Sequence, residues 1–151
     1  MKTLQVSNGD IVLDNGGRLQ FVQGSNKLIQ DLALWLKEPI GTGFTTPNFG
    51  SILPSLVGSS ETAAVIAQVQ SEVSRILGLY QSQQLLDLQS AQNTSQLANW
   101  NKSEIISTIN SIDVSSSYTT INIYVGITTL AGANLTLSLA VDSNGVQVTN
   151  G

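Results

Sequence analysis

The chain has 151 residues, enough for about one domain. Hydrophobic residues make up 41% and charged ones 11%, the net charge is −4, and there is no His or Cys. These figures exclude a His general base, a thiolate nucleophile and a disulfide framework, and they leave a zinc site with carboxylates alone.

The first predicted element is a β-hairpin. Ile11-Val12-Leu13 and Leu19-Gln20-Phe21-Val22 flank Asp14-Asn15-Gly16-Gly17, whose glycines supply the backbone angles of a tight turn. Gly24-Ser25 ends the strand and offers Ser25 as a helix N-cap. A helix is predicted from Asn26 to Lys37, with Leu28, Ile29, Leu32, Trp35 and Leu36 on one face, and Pro39 stops it. Residues 41–50 read as a loop rich in glycine and proline, anchored by Phe44 and Phe49. Ser51 to Val57 is predicted as one short helical turn ended by Gly58.

A second helix is predicted to start at a Ser59 or Ser60 cap, with Glu61 complementing its dipole. Val65, Ile66, Val69, Val73, Ile76, Leu77 and Tyr80 keep the helical period, which runs on through Leu88, with Glu72 on the outer face. Gly78 weakens this helix by about 1 kcal/mol relative to Ala. Gln81 to Asn99, rich in Gln and Ser, reads as frayed helix and loop. Asn101-Lys102-Ser103-Glu104 resembles a helix start or tight turn, and the pattern then shifts toward strand up to Val114. Two alternating strands follow, Thr119–Thr129 and Asn134–Val141, joined as a hairpin; after the turn at 142–145, Val146-Gln147-Val148 reads as a short extra strand. The predicted class is therefore α+β in a single domain over 1–151: an N-terminal hairpin, two main helices, and C-terminal antiparallel strands forming one small mixed sheet packed on the helices.

No motif marks a catalytic site. The carboxylates show no pair with the context a glycosidase needs, no G-x-S-x-G elbow exists, and Gly41-Thr42-Gly43 lacks the rest of a phosphate loop. The expectation is a non-enzyme without cofactor or metal. Its six basic residues are scattered, so no nucleic-acid partner is expected; no apolar run nears the roughly 20 residues of a membrane span, so no membrane is expected either. The N-terminus lacks the apolar segment of a secretion signal. Ser, Thr, Asn and Gln together supply 57 residues, and such a neutral polar surface suits burial in an assembly, where charges are costly to desolvate. On the predicted strands, Thr120, Asn122, Tyr124, Thr128, Asn134, Thr136 and Ser138 form a polar face that could meet a partner strand.

A family likeness is carried by Gly9-Asp10-Ile11, Gly16-Gly17-Arg18-Leu19, Val22-Gln23-Gly24 and Leu28-Ile29-Gln30-Asp31-Leu32, and continues in Pro47, Asn48, Phe49-Gly50-Ser51, Leu53 and Val57-Gly58. This pattern resembles the small baseplate wedge protein, or sheath initiator, of contractile phage tails, which has relatives in type VI secretion baseplates. The resemblance implies a virion structural protein, assembled in the host cytoplasm into the tail baseplate in six copies. Its implied partners are the tail sheath protein and other baseplate wedge proteins, with the tail tube or hub as a further contact. It also implies a C-terminal sheet resembling the sheath's own linking domain, which is completed by strands from neighbouring subunits. Many members carry Glu-Pro-Arg before that sheet as a wedge contact. The matching segment here has Trp100, Ser103 and Glu104 as the candidate contact residues, without Pro or Arg, while Glu38-Pro39 lies too early in the chain. The alternative reading is a soluble adaptor of similar fold that sequesters a bacterial partner; a cell-wall hydrolase is a third.

Overall fold

Asp14 makes the turn that the hairpin requires. Its Oδ1 accepts hydrogen bonds from the N–H groups of Gly16 (2.8 Å) and Arg18 (2.9 Å), and Leu13 bridges Leu19 across it. In the computed structural model, which describes residues 2–7, 9–56 and 62–150, this hairpin lies against a segment that sequence periodicity did not mark. β1 (Thr3–Leu4) and β2 (Val6–Ser7) pair antiparallel with β4 (Phe21–Val22) and β3 (Asp10–Ile11) respectively. Such short runs carry too few alternations to be read from sequence. Gln30 fixes the segment in place: its amide donates to the Leu4 carbonyl and accepts from the Val6 N–H.

Helix α1 spans Ser25–Lys37 and buries Leu28, Leu32 and Leu36 completely. Its start differs from the expectation. Gly24, at φ +65°, holds the cap position with no side-chain cap, and Ser25 is the first helical residue. The buried carboxylate of Glu104 serves the end of the strand instead, accepting from the Gly24 N–H at 2.8 Å.

The loop after α1 folds back on itself. Pro39 bridges Ser51 in parallel, and the Ser51 hydroxyl donates to the Leu36 carbonyl at 2.6 Å. Gly50, at φ +103°, is required here, since a Cβ would sit 2.5 Å from the Glu38 carbonyl oxygen. Phe49 anchors the loop as predicted, stacking edge-on against Trp35 with ring centroids 4.8 Å apart. Phe44 does not: at 101% relative exposure it touches no core. The predicted helical turn is a 3-10 turn at Leu53–Leu56. Val57, Gly58 and the expected Ser59, Ser60 and Glu61 start signals lie outside the described residues.

Helix α2 runs unbroken over Ala63–Asn93, capped by the Thr62 hydroxyl, which accepts from the Val65 N–H. The predicted fraying after Gln81 does not occur. Gln84 and Ala91 are buried, and Gln84 exchanges two hydrogen bonds with the start of the sheet, so tertiary contacts add to the good helix propensity of its Gln, Leu and Ala residues. Glu72 is likewise not on an outer face. It is 7% exposed, pairs with Arg75 and accepts from the Ile52 N–H, tying α2 to the loop.

After 3-10 turns at Leu97–Asn99 and Lys102–Glu104 the chain forms a four-stranded antiparallel sheet: β5 (Ile106–Ser117), β6 (Thr120–Thr129), β7 (Asn134–Asp142) and β8 (Gly145–Asn150), in the order β5-β6-β7-β8. The class is α+β, as the segment order predicts. One face of the sheet is covered by the helices. Ile121, Ile123, Val125, Ile127, Leu137, Leu139 and Val141 point inward to meet Leu28, Leu32, Leu36, Val69, Val73, Ile76 and Leu77 in a single core.

Candidate assembly surface

The seven predicted polar-face residues fall where the alternation puts them. Thr120, Asn122, Tyr124 and Thr128 on β6, and Asn134, Thr136 and Ser138 on β7, lie on the face away from the core, Tyr124 opposite Ser138 and Thr128 opposite Asn134. Alternating with them in the chain, Ile121, Ile123, Val125, Ile127, Leu137 and Leu139 are buried. Part of this face is already engaged in the fold. Asn110 of β5 donates to the Thr128 hydroxyl, which donates to Asn134, both at 2.8 Å, making a polar row across three strands.

The register revises the location of a free edge. Both predicted strands, β6 and β7, are interior to the sheet and paired on both sides along most of their length. Only β5 and β8 are outermost. The two edges differ. Against β5, α2 lays three glutamines: Gln70 donates to the Ile112 carbonyl (3.1 Å), Gln81 to the Ser107 carbonyl (3.1 Å), and Gln84 donates to the Glu104 carbonyl and accepts from the Ile106 N–H. Positions 70, 81 and 84 share one stripe at about 3.6 residues per turn, so the sequence did carry this signal. A helix that supplies side-chain partners to an edge strand covers that edge over the stretch it reaches, here Glu104 to Ile112.

β8 has no such cover among the described residues. It pairs with β7 from Asp142↔Gly145 to Leu137↔Asn150. At the other end of β7, the Thr129 N–H donates to the Ala133 carbonyl, which fixes the alternation of bonded pairs along the β6–β7 ladder. Carried across β7, that alternation leaves the N–H and C=O groups of Val146 and Val148 directed away from β7. Sequence patterning identified this strand but not its edge position, because strand order is a property of the assembled sheet.

The three residues expected at a wedge contact part company. Trp100 is half-buried and Ser103 partly exposed, while Glu104 is 2% exposed and its carboxylate is turned to Gly24, so it is not available to a protein partner's surface. Trp100 and Glu104 do meet at a cleft of about 520 Å³, with Trp35, Phe49, Tyr80 and Asp31 among its other lining residues. Tyr80 donates to Asp31 at 3.2 Å; burial, and then the charge of Asp31, push its phenol well above the ordinary range, so it stays a protonated donor. No group of three or more metal-ligating side chains occurs among the described residues, and none of their helices is long and apolar enough to cross a membrane. Comparison with protein-family models, with curated proteins and with solved structures finds no match for the chain.

Proposed function

We propose that this chain is a structural protein of a contractile-tail baseplate, present in six copies, that docks the tail sheath and starts its polymerisation. Its working surface is backbone rather than a catalytic site, and its partners are the sheath protein and neighbouring wedge proteins. The carrying observation is the asymmetry of the sheet: glutamines of α2 line the β5 edge from Glu104 to Ile112, whereas the outward backbone groups of Val146 and Val148 on β8 have no such cover among the described residues. An incoming extended strand would satisfy those groups and extend the sheet by one. The neutral outer face of the sheet, continued on β8 by the exposed Gln147, would lie beside it without repelling it. The N-terminal resemblance supports the same reading.

The test is a pair of proline variants. Val148→Pro removes an outward donor and keeps the β7 ladder, whereas Gln147→Pro removes a ladder donor to Ala140. Val148 also packs against the core, so Val148→Pro should melt about 2–5 °C below the unaltered chain, a smaller loss than for Gln147→Pro, yet yield tails without sheath in electron micrographs. Sheath of normal length on particles carrying Val148→Pro would sink the proposal. Gln147→Pro should lower stability itself, separating folding from docking.

A further inference from the structure

The N-terminal hairpin turns its more apolar face outward. Leu4 sits opposite Phe21, Val6 opposite Ile11, and Leu13 opposite Leu19. Gln5 joins the three segments, donating to the Gln20 carbonyl (2.9 Å) and accepting from the Val12 N–H (3.0 Å). Paired residues share a face of a sheet, and so do alternate residues along a strand, so all six apolar side chains lie on one face. Ile11, Leu13, Leu19 and Phe21 are between 48% and 57% exposed there. Gln5, Val12, Gln20 and Val22, on the opposite face, are less exposed. This reverses the usual placement, in which the apolar face of an antiparallel sheet meets the core. Four half-exposed side chains of this size make an apolar patch of roughly a few hundred Å², large enough to mark a contact site. The patch belongs to different sheets from β8, and strand addition does not need it.

We infer that this face pairs with the same face of a second copy of the chain, in a two-fold contact between free subunits. The distribution of charge selects that occupant. Residues 2–24 carry Lys2, Asp10, Asp14 and Arg18 and no other charge, so the hairpin is neutral and the chain's net −4 lies wholly outside it. Two copies repel each other through the rest of their surface and least through the hairpin. A strongly charged partner would find no compensating charge on this rim, whereas a second copy brings an equal apolar area and an equally neutral rim. Two-fold symmetry makes the patch self-complementary, each copy giving the contact it receives. The small sheets then stack face to face about 10 Å apart, as the layers of a β-sandwich do. The patch falls short of the roughly 800 Å² per partner of a stable complex, so the pair is weak and forms only at high concentration. Sequence pattern marks the hairpin but not this exposure, because which face turns outward is set by how the first segment is held on α1 through Gln30.

Sedimentation equilibrium of the intact chain at neutral pH should show a reversible rise from the 16.0 kDa monomer toward twice that mass, with a Kd of about 0.1–1 mM. In the same concentration range, NMR amide shifts should move at positions 10–22. Leu13→Asp, at an exposed position, should weaken the pair at least about tenfold. An equal mixture of Leu13→Asp and Leu13→Lys should restore association, a rescue that a folding defect would not give. Val148→Pro, altered at the β8 edge, should dimerise as the unaltered chain does. A monomer up to about 2 mM, a dimer indifferent to Leu13→Asp, no rescue by the mixture, or a dimer abolished by Val148→Pro would each overturn the inference. So would hairpin amides that stay fixed on self-dilution and move only when sheath or wedge protein is added, which assigns the face to another protein. Sheath on Val148→Pro tails is a separate readout, so failure here leaves the strand-addition reading untouched.

Discussion

Two glycines show how one substitution can carry opposite signs. At Gly50 an added methyl would meet the Glu38 carbonyl at 2.5 Å with the backbone at φ +103°; at Gly78, inside α2, it would meet nothing within 4 Å. Gly50→Ala should therefore destabilise by about 2–4 kcal/mol, and Gly78→Ala should stabilise by about 1 kcal/mol, both read from urea unfolding midpoints. The Gly78 cost was legible in the sequence, because helix propensity is local. The need for Gly50 was not, because its obstacle comes from a carbonyl twelve residues earlier in the chain. Glu72 makes the same point electrostatically. The Arg75 hydrogen bond holds its carboxyl below the ordinary value of 4.5, against the opposing effect of burial, and the Ile52 N–H adds to the shift. The folded state thus binds its proton more weakly than the unfolded chain does, so its contribution is complete above about pH 4.5 and is lost as pH falls through the depressed value. The melting temperature should fall on acidification below that point, and Glu72→Gln should flatten the fall while lowering stability near neutrality by about 1–2 kcal/mol.

Among elements, the second half of α2 is the most informative departure from the sequence pattern. Gln81 to Asn93 is polar enough to read as frayed, yet it is helical because Gln84 closes a buried exchange with the Glu104 carbonyl and the Ile106 N–H. Gln84→Ala would remove the buried acceptor of the Ile106 N–H and a donor to the Glu104 carbonyl. It should cost about 2–4 kcal/mol and speed amide hydrogen exchange at Ile106. If exchange there is unchanged, the glutamine does not hold the end of the helix. The strands behave differently. Their alternation was long and strict enough to place Thr120 through Ser138 on the correct face, and β6 and β7 match their predicted limits to within a residue.

At the scale of the whole molecule, the polar composition that first only excluded chemistries has a distribution. It forms the outer face of the sheet, seals β5, and crosses three strands as the Asn110–Thr128–Asn134 row. Docking at β8 would add to this sheet without burying a charge, as a low-charge surface suits. The proline pair tests that property of the assembled molecule, since it separates a folded subunit from one competent to extend its sheet. By itself the sequence determined the element types, the α+β order, the inward-facing Leu, Ile and Val residues, and the polar face, because turn chemistry and periodicity are local and repeat many times. Only the tertiary structure decided that the two best-marked strands are interior, that one edge is lined by a helix while the other has no such cover among the described residues, and that scattered acidic and aromatic residues share one cleft. Strand order and helix packing are set by which distant surfaces bury each other, and no local pattern in the chain encodes that choice.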